Sequence, residues 1–316
     1  MHPKRARVLL LVVLALLMGV YILFVAQTAT LSRGSDLAVP AQHLKPSPMP
    51  KETPATKILF VFIAIGNVPE RLQLIRDNLQ ALGPKADQGK YHVDCMLFSY
   101  ASYPKEPEWL HEKEINQRCQ VIRLFKTGYI PFLKTLIPSL IKQSGYKYLT
   151  ISLDDVALVQ PHGSFDLPRF YDFMDKYGLS VATPAIAGTS HAGLTPITPK
   201  PKQVGRLVKM IEFQSTSFDM AGWECMYELI DSEYPGGWGI DIWFHDYCIA
   251  SGRIKNGKMG VSDTMKINHN PQGLQSVNNA DKDPQALMYA QVEAWKKDRN
   301  ITLSAQWSGS YADLME

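Results

Sequence analysis

A chain of 316 residues has room for one large domain or two small ones, and its formal net charge of +3 gives no ground for expecting a nucleic-acid partner. With 46% hydrophobic and 20% charged residues, its composition is that of an ordinary globular protein.

Residues 1–7, MHPKRAR, form a short basic tail. Residues 8–26, VLLLVVLALLMGVYILFVA, carry no charge over 19 positions. At about 1.5 Å per residue, a helix of that length nearly matches the roughly 30 Å bilayer core. Lys4, Arg5 and Arg7 precede the run, while Arg33 and Asp36 roughly cancel after it. The positive-inside rule therefore predicts a cytosolic N-terminus and a signal-anchor over 8–26. The alternative is a cleaved signal peptide, whose apolar core usually spans about 7 to 15 residues and is shorter than this run. Residues 27–56 hold Pro40, Pro46, Pro48, Pro50 and Pro54 with little apolar periodicity, and read as an extended stem. Residues 57–316 then form the folded domain of a type II membrane protein, facing the lumen.

That domain alternates strand-like and helix-like segments. KILFVFIAI (57–65) is a continuous apolar run suited to a strand covered on both faces. A helix follows, with Asn67 as a cap and Pro69 in its first turn. Strands are predicted over 91–100 and 120–125, then a helix over 128–145 broken near Pro138. YKYLTISL (146–153) is the next strand and delivers Asp154 and Asp155 at its end. A helix over 165–178 ends in Gly178, and LSVATPA returns as a strand. Residues 186–206 read as a long loop, 209–218 as a strand, and 221–234 as a helix. GGWGIDIWFHDYCIASG (236–252) is a glycine turn entering an apolar helix. A closing strand over 258–270 and a terminal helix over 283–300 complete the domain. The alternation predicts a mostly parallel α/β sheet with helices on both faces, and ligands in such folds bind beyond the carboxyl ends of the strands. Neither GxGxxG nor GxxxxGK[ST] is present, so neither nucleotide fingerprint applies.

Several residues stand out chemically. Asp154 and Asp155 read either as oxygen ligands for Mg²⁺ or Mn²⁺ bridging a nucleotide diphosphate, or as solvated turn residues. Gly236, Gly237 and Gly239 allow a tight backbone around Trp238. Asp241, at the mouth of the following helix, is a candidate general base, or a carboxylate satisfying free backbone N–H groups. His245, four residues on, reads as structural. In the closing strand, Asp263 and His269 are candidates, with His269 as a third metal ligand beside the two acids. Trp223, Trp238 and Trp243 stack on a ligand or fill the core. Asn300-Ile301-Thr302 is a glycosylation sequon. Cys95, Cys119, Cys225 and Cys248 lack zinc-site spacing and read as two disulfides or four buried thiols, Cys225–Cys248 being the preferred pair.

IEFQSTSFDMAGWECMYELIDSEYPGGWGIDIWFHDYC followed by GKMGVSDTMKINH resembles the C-terminal half of the plant and algal family called domain of unknown function 707. FYDFMDKYGLSVATPAI, KILFVFIAIGN and DCMLFSY resemble earlier parts of it, so the likeness runs from about 57 to 276. That family resembles glycosyltransferases of the GT-A type. The resemblance implies a Golgi type II enzyme that moves a sugar from a nucleotide-sugar donor to a glycan or other hydroxyl acceptor. It implies Mn²⁺ or Mg²⁺ on Asp154, Asp155 and His269, Asp241 as base, and donor contacts from Gly66, Asn67, Trp238, Gly239 and Asp263. By the same resemblance, Asp154 and Asp155 match the later two acids of the family's WDED or WDDD segment. Leu153 stands where the family has its first acid, and Ser152 where it has Trp, so a strict DxD is absent. Leu153 favours the alternative, a catalytically degenerate glycan-binding or structural Golgi protein. The endoplasmic reticulum and the plasma membrane are the alternative compartments.

Overall fold

The structure is a computed structural model. It describes residues 55–64, 69–82, 90–99, 112–123, 129–135, 137, 145–159, 161, 163–187, 197–230, 240–269, 284–299 and 310–314. All of these lie in the unit Thr53–Glu316. The tail, the anchor and nearly all of the stem lie outside the described residues, as do Gly66, Asn67, Pro138, residues 231–239 and Asn300. Among the described residues no helix is long and apolar enough to cross a membrane.

The first half of the domain is built from parallel strands. β1 (Thr56–Ala64) lies between β2 (Tyr91–Ser99) and β4 (Tyr148–Leu153), and β3 (Cys119–Arg123) extends β2 outward, all in parallel register. The apolar run of β1 accounts for its central place. Ile58, Phe60 and Phe62 point to one face and Leu59, Val61 and Ile63 to the other, and all six are buried.

The second half is not the parallel continuation expected. β8 (Ser215–Asp219) runs antiparallel to both β4 and β6 (Val181–Ala187). β9 (Met259–His269) is parallel to β6 but antiparallel to β5 (Val156–Ala157) and β7 (Gly205–Val208), and β7 pairs antiparallel with β10 (Ser310–Leu314). The sheet is therefore mixed, in the order β10-β7-β9-β6-β8-β4-β1-β2-β3, with β5 on β9. β6 and β9, by contrast, are joined through the helices Met220–Leu229 and Ile240–Ala250 and pair in parallel, as strands linked by a helical crossover do. Residues 205–206, expected at the end of a loop, begin β7, while the strand expected from 209 begins only at Ser215.

Helices α1 (Pro69–Ala81), α2 (Lys113–Arg118), α3 (Tyr129–Thr135), α4 (Leu167–Tyr177), α5 (Met220–Leu229), α6 (Ile240–Ala250) and α7 (Pro284–Arg299) accompany the sheet. α3 packs on one face of the sheet. There Phe98 stacks on Phe132 of α3 with ring centroids 3.8 Å apart, while Trp223 of α5 and Phe244 of α6 close edge-on over Phe218. α4 lies on the opposite face, where Tyr171 stacks on Tyr148 and shares a buried hydroxyl cluster with Thr150 and Ser217. α4 starts where the Asp166 carboxylate accepts the Arg169 amide at 3.0 Å, and stops at Gly178 in a left-handed conformation (φ 58°).

Two disulfides brace the layers. Cys95–Cys119 joins β2 to β3 at a register pair, and Cys225–Cys248 joins α5 to α6. At the amino ends of β2 and β4, Tyr91 and Lys90 bind Asp172 at 2.7 and 2.8 Å, and Tyr148 binds Asp175 at 2.5 Å. These charges tie α4 to the sheet at the end opposite the acid pair.

Candidate functional site

β1 is the strand where the chain direction across the sheet reverses. β2 and β3 lie on one side of it and β4 on the other, and in α/β sheets the carboxyl ends of the strands at such a reversal are where ligands bind. Ile63 is the register partner of Leu153, so Asp154 and Asp155 begin immediately beyond the paired ends.

Two neighbours hold this turn in place. On one side β5 pairs with the end of β9, Val156 opposite His269. On the other, the fully buried Asn78 of α1 grips the backbone just after the turn: its Nδ2 donates to the Val156 carbonyl at 2.5 Å and its Oδ1 accepts the Leu158 amide at 2.7 Å. Arg71 lies seven residues, about two turns, before Asn78 and so on the same helical face. It is 3% exposed, and its Nη1 donates to Asp154 Oδ1 at 3.0 Å. Its Nη2 lies 3.7 Å from Asp155 Oδ2, and His269 Nε2 lies 3.4 Å from that same oxygen. A cation in the first turn of a helix opposes the helix dipole. The two carboxylates compensate it, and it in turn makes their burial tolerable.

Burial would push the Asp155 carboxyl up. The hydrogen bond and charge of His269, together with Arg71, outweigh burial and hold it below its ordinary value. Asp155 is thus a committed anion. Its Oδ1 is buried and accepts no hydrogen bond among the described residues. The cluster as a whole holds one ionised carboxylate oxygen without a hydrogen-bond partner among the described residues, beside the Arg71 guanidinium and the His269 imidazole.

The metal ion expected on Asp154, Asp155 and His269 does not fit this arrangement. Asp154 gives Oδ1 to Arg71, Asp155 gives Oδ2 to Arg71 and His269, and Leu153 adds no ligand atom. Among the described residues no group of three or more His, Cys, Asp or Glu is arranged to hold a metal.

The other expected residues separate from this cluster. Asp263 is on β9, six positions before His269, or roughly 20 Å along a strand. It is buried against Arg206, whose Nη1 lies 2.6 Å from Oδ1, and that oxygen also accepts the Lys200 amide at 2.7 Å. This commits Asp263 to the core rather than to a donor. Asp241 is half-buried in the first turn of α6. Phe244, three residues on, packs edge-on against Phe213 at 5.3 Å, and Phe213 precedes Gln214, whose carbonyl accepts the Leu153 amide. α6 therefore overlies the same end of the sheet as the acid turn. His245 is buried with Nδ1 2.9 Å from Asp246 Oδ1. Trp223 and Trp243 are buried core residues, while Gly236, Gly237, Trp238 and Gly239 lie outside the described residues.

Arg71 and Asn78 were not anticipated. Their signal is polarity out of place: both occupy the face of α1 that also carries Leu74, Ile75 and Leu82 into the core.

Residues 206–308 match the model of a family described as "Protein of unknown function (DUF707)", so the family resemblance of the sequence holds over that segment. No curated protein matches the chain. Solved structures similar to it include A197 from STIV, 13% identical, covering 68% of this chain and 85% of that one, with a TM-score of 0.39. A second is GalNAc-T7 with UDP, GalNAc and Mn²⁺, 13% identical, covering 78% of this chain and 50% of that one, with a TM-score of 0.48. A third is S. aureus TarS 1-349 in complex with UDP-GlcNAc, 10% identical, covering 79% and 68%, with a TM-score of 0.49. This chain thus spans half the length of the GalNAc-T7 chain.

Proposed function

We propose that this chain is a glycosyltransferase that moves a sugar from a nucleotide-sugar donor to a hydroxyl of a glycan or similar acceptor, working on the lumenal side of the Golgi membrane. One observation carries the reading. A buried, ionised carboxylate, Asp155, sits at the carboxyl end of β4 beside the β1 reversal point, with Arg71 and His269 next to it and one oxygen that has no hydrogen-bond partner among the described residues. That is where an α/β sheet presents a ligand site, and a carboxylate oxygen there accepts a sugar hydroxyl. The family match spans the segment with Asp241 and His269. Two disulfides accord with an oxidising, lumenal compartment.

In this reading Asp155 orients the donor sugar and Asp241 acts as base. The acceptor O–H proton passes to the Asp241 carboxylate as the acceptor oxygen bonds to the anomeric carbon. The bond from that carbon to the phosphate oxygen breaks, and the nucleotide diphosphate leaves with the electron pair.

The test uses the full chain in mild detergent with a panel of nucleotide sugars. The correct donor raises the melting temperature, since it binds only the native state. Asp155→Asn removes that shift. Asp241→Asn keeps it but slows release of nucleotide diphosphate by about 10²- to 10⁴-fold. If no nucleotide sugar raises the melting temperature, with Mn²⁺ or with a chelator, the proposal fails. Leu153, apolar where the family has an acid, favours a second reading as a glycan-binding protein; donor binding without diphosphate release identifies it.

A further inference from the structure

We infer that Arg71 occupies the cation position of this site, so that the Asp154–Asp155 pair takes no divalent metal ion. The inference concerns the same acid turn as the proposed sugar transfer but does not depend on it. Three features carry it. The first is charge. Asp154 and Asp155 supply two negative charges, and the guanidinium lies 3.0 Å from one and 3.7 Å from the other. A guanidinium cannot give up its proton to make way for a metal ion, as an amine or an imidazole can. An incoming Mn²⁺ would therefore meet a fixed positive charge within contact distance of both its ligands.

The second is anchorage. Arg71 is 3% exposed on a helix whose Asn78 holds the backbone on the far side of the acid turn. Helix and turn are thus one unit, and Arg71 cannot swing out while α1 stays docked. The third is ligand count. Mn²⁺ and Mg²⁺ favour about six oxygen-type ligands. Leu153 is packed against the core, Asp154 faces Arg71, and Asp155 Oδ2 lies between Arg71 and His269. Among the described residues Asp155 Oδ1 is the carboxylate oxygen of Asp155 left without a partner, and no group of three or more acids, histidines or cysteines gathers around it to hold the ion.

The probe is Mn²⁺ alone, followed by loss of its free-ion electron paramagnetic resonance signal on titration into the full chain. The wild-type protein is expected to leave the signal unchanged. Arg71→Met, which keeps the bulk and removes the charge, is expected to bind one Mn²⁺ at least about tenfold more tightly than wild type, because the repelling charge is gone. Adding Asp155→Asn to Arg71→Met should abolish that gain. Circular dichroism checks the fold; if Arg71→Met is unfolded, Arg71→Gln serves the same purpose. Wild-type binding of one Mn²⁺ with Kd below about 100 µM, lost in Asp155→Asn, overturns the inference. A folded Arg71→Met that gains no Mn²⁺ overturns it too. Wild-type binding that survives Asp155→Asn lies elsewhere on the chain and leaves the pair closed, as inferred.

Discussion

Asp155 is held ionised by His269 and Arg71 working against burial, and that makes it a pH-dependent part of the fold. Its carboxyl titrates lower in the folded chain than in the unfolded one, so the unfolded state binds the proton more readily. The stability it contributes is fully present above the ordinary aspartate value of about 3.9 and is lost as pH falls through the lower folded value. Asp155→Asn should therefore lower stability by about 1–3 kcal/mol near neutrality. The gap from wild type should narrow below about pH 4, as followed by urea denaturation at a series of pH values. At this scale the sequence was half legible. Asp154 and Asp155 stand out because two acids end an apolar strand. Arg71 does not, because a cation in the first turn of a helix reads as solvated until something shows which face of the helix is buried. Asp263 misled for the converse reason: an acid in a closing strand looks available, and only the fold reveals Arg206 against it.

The element that matters most to the site is α1, which carries both the counter-ion and the clamp. Asn78→Ala would leave a buried carbonyl at Val156 and a buried amide at Leu158 without their partners. A loss of about 2–3 kcal/mol is expected, by thermal or urea unfolding. Hydrogen exchange should speed up at Val156–Leu158 before it does in β4, since the turn loses its far anchor. α5 and α6 depend on a covalent tie instead. Replacing both Cys225 and Cys248 by Ala removes a link between residues 23 apart in sequence and should cost about 3 kcal/mol. Equal stability of the variant and the oxidised wild type would show that packing alone fixes the pair. The elements themselves were largely legible from periodicity, since the strands are apolar runs and α4 carries its own caps. Strand direction was not. Nothing in STSFD says which way it runs; its antiparallel pairing with β4 and β6 does.

For the molecule as a whole, the layout implied by the sequence predicts that the full chain stays with membranes after alkaline carbonate washing, while a chain lacking residues 1–26 is released. Release of the full chain would remove the anchor from the account. The folded domain has ends of unlike character: carboxyl ends of β1 and β4 carry the acid turn, and amino ends of β2 and β4 are tied to α4 by lysines, tyrosines and Asp172 and Asp175. Acid turn and bracing are thereby separated along the strand axis. The Cys95–Cys119 bond has a consequence of another kind. It fastens the outermost strand on the parallel side of the described sheet to its neighbour, and an outermost strand is the part of a sheet most able to pair with another chain. Once the bond has formed, β3 cannot leave its own sheet to be traded between two copies. Oxidation thus acts as a one-way gate on strand exchange, closed once the bond has formed and open to any copy that folds under reducing conditions.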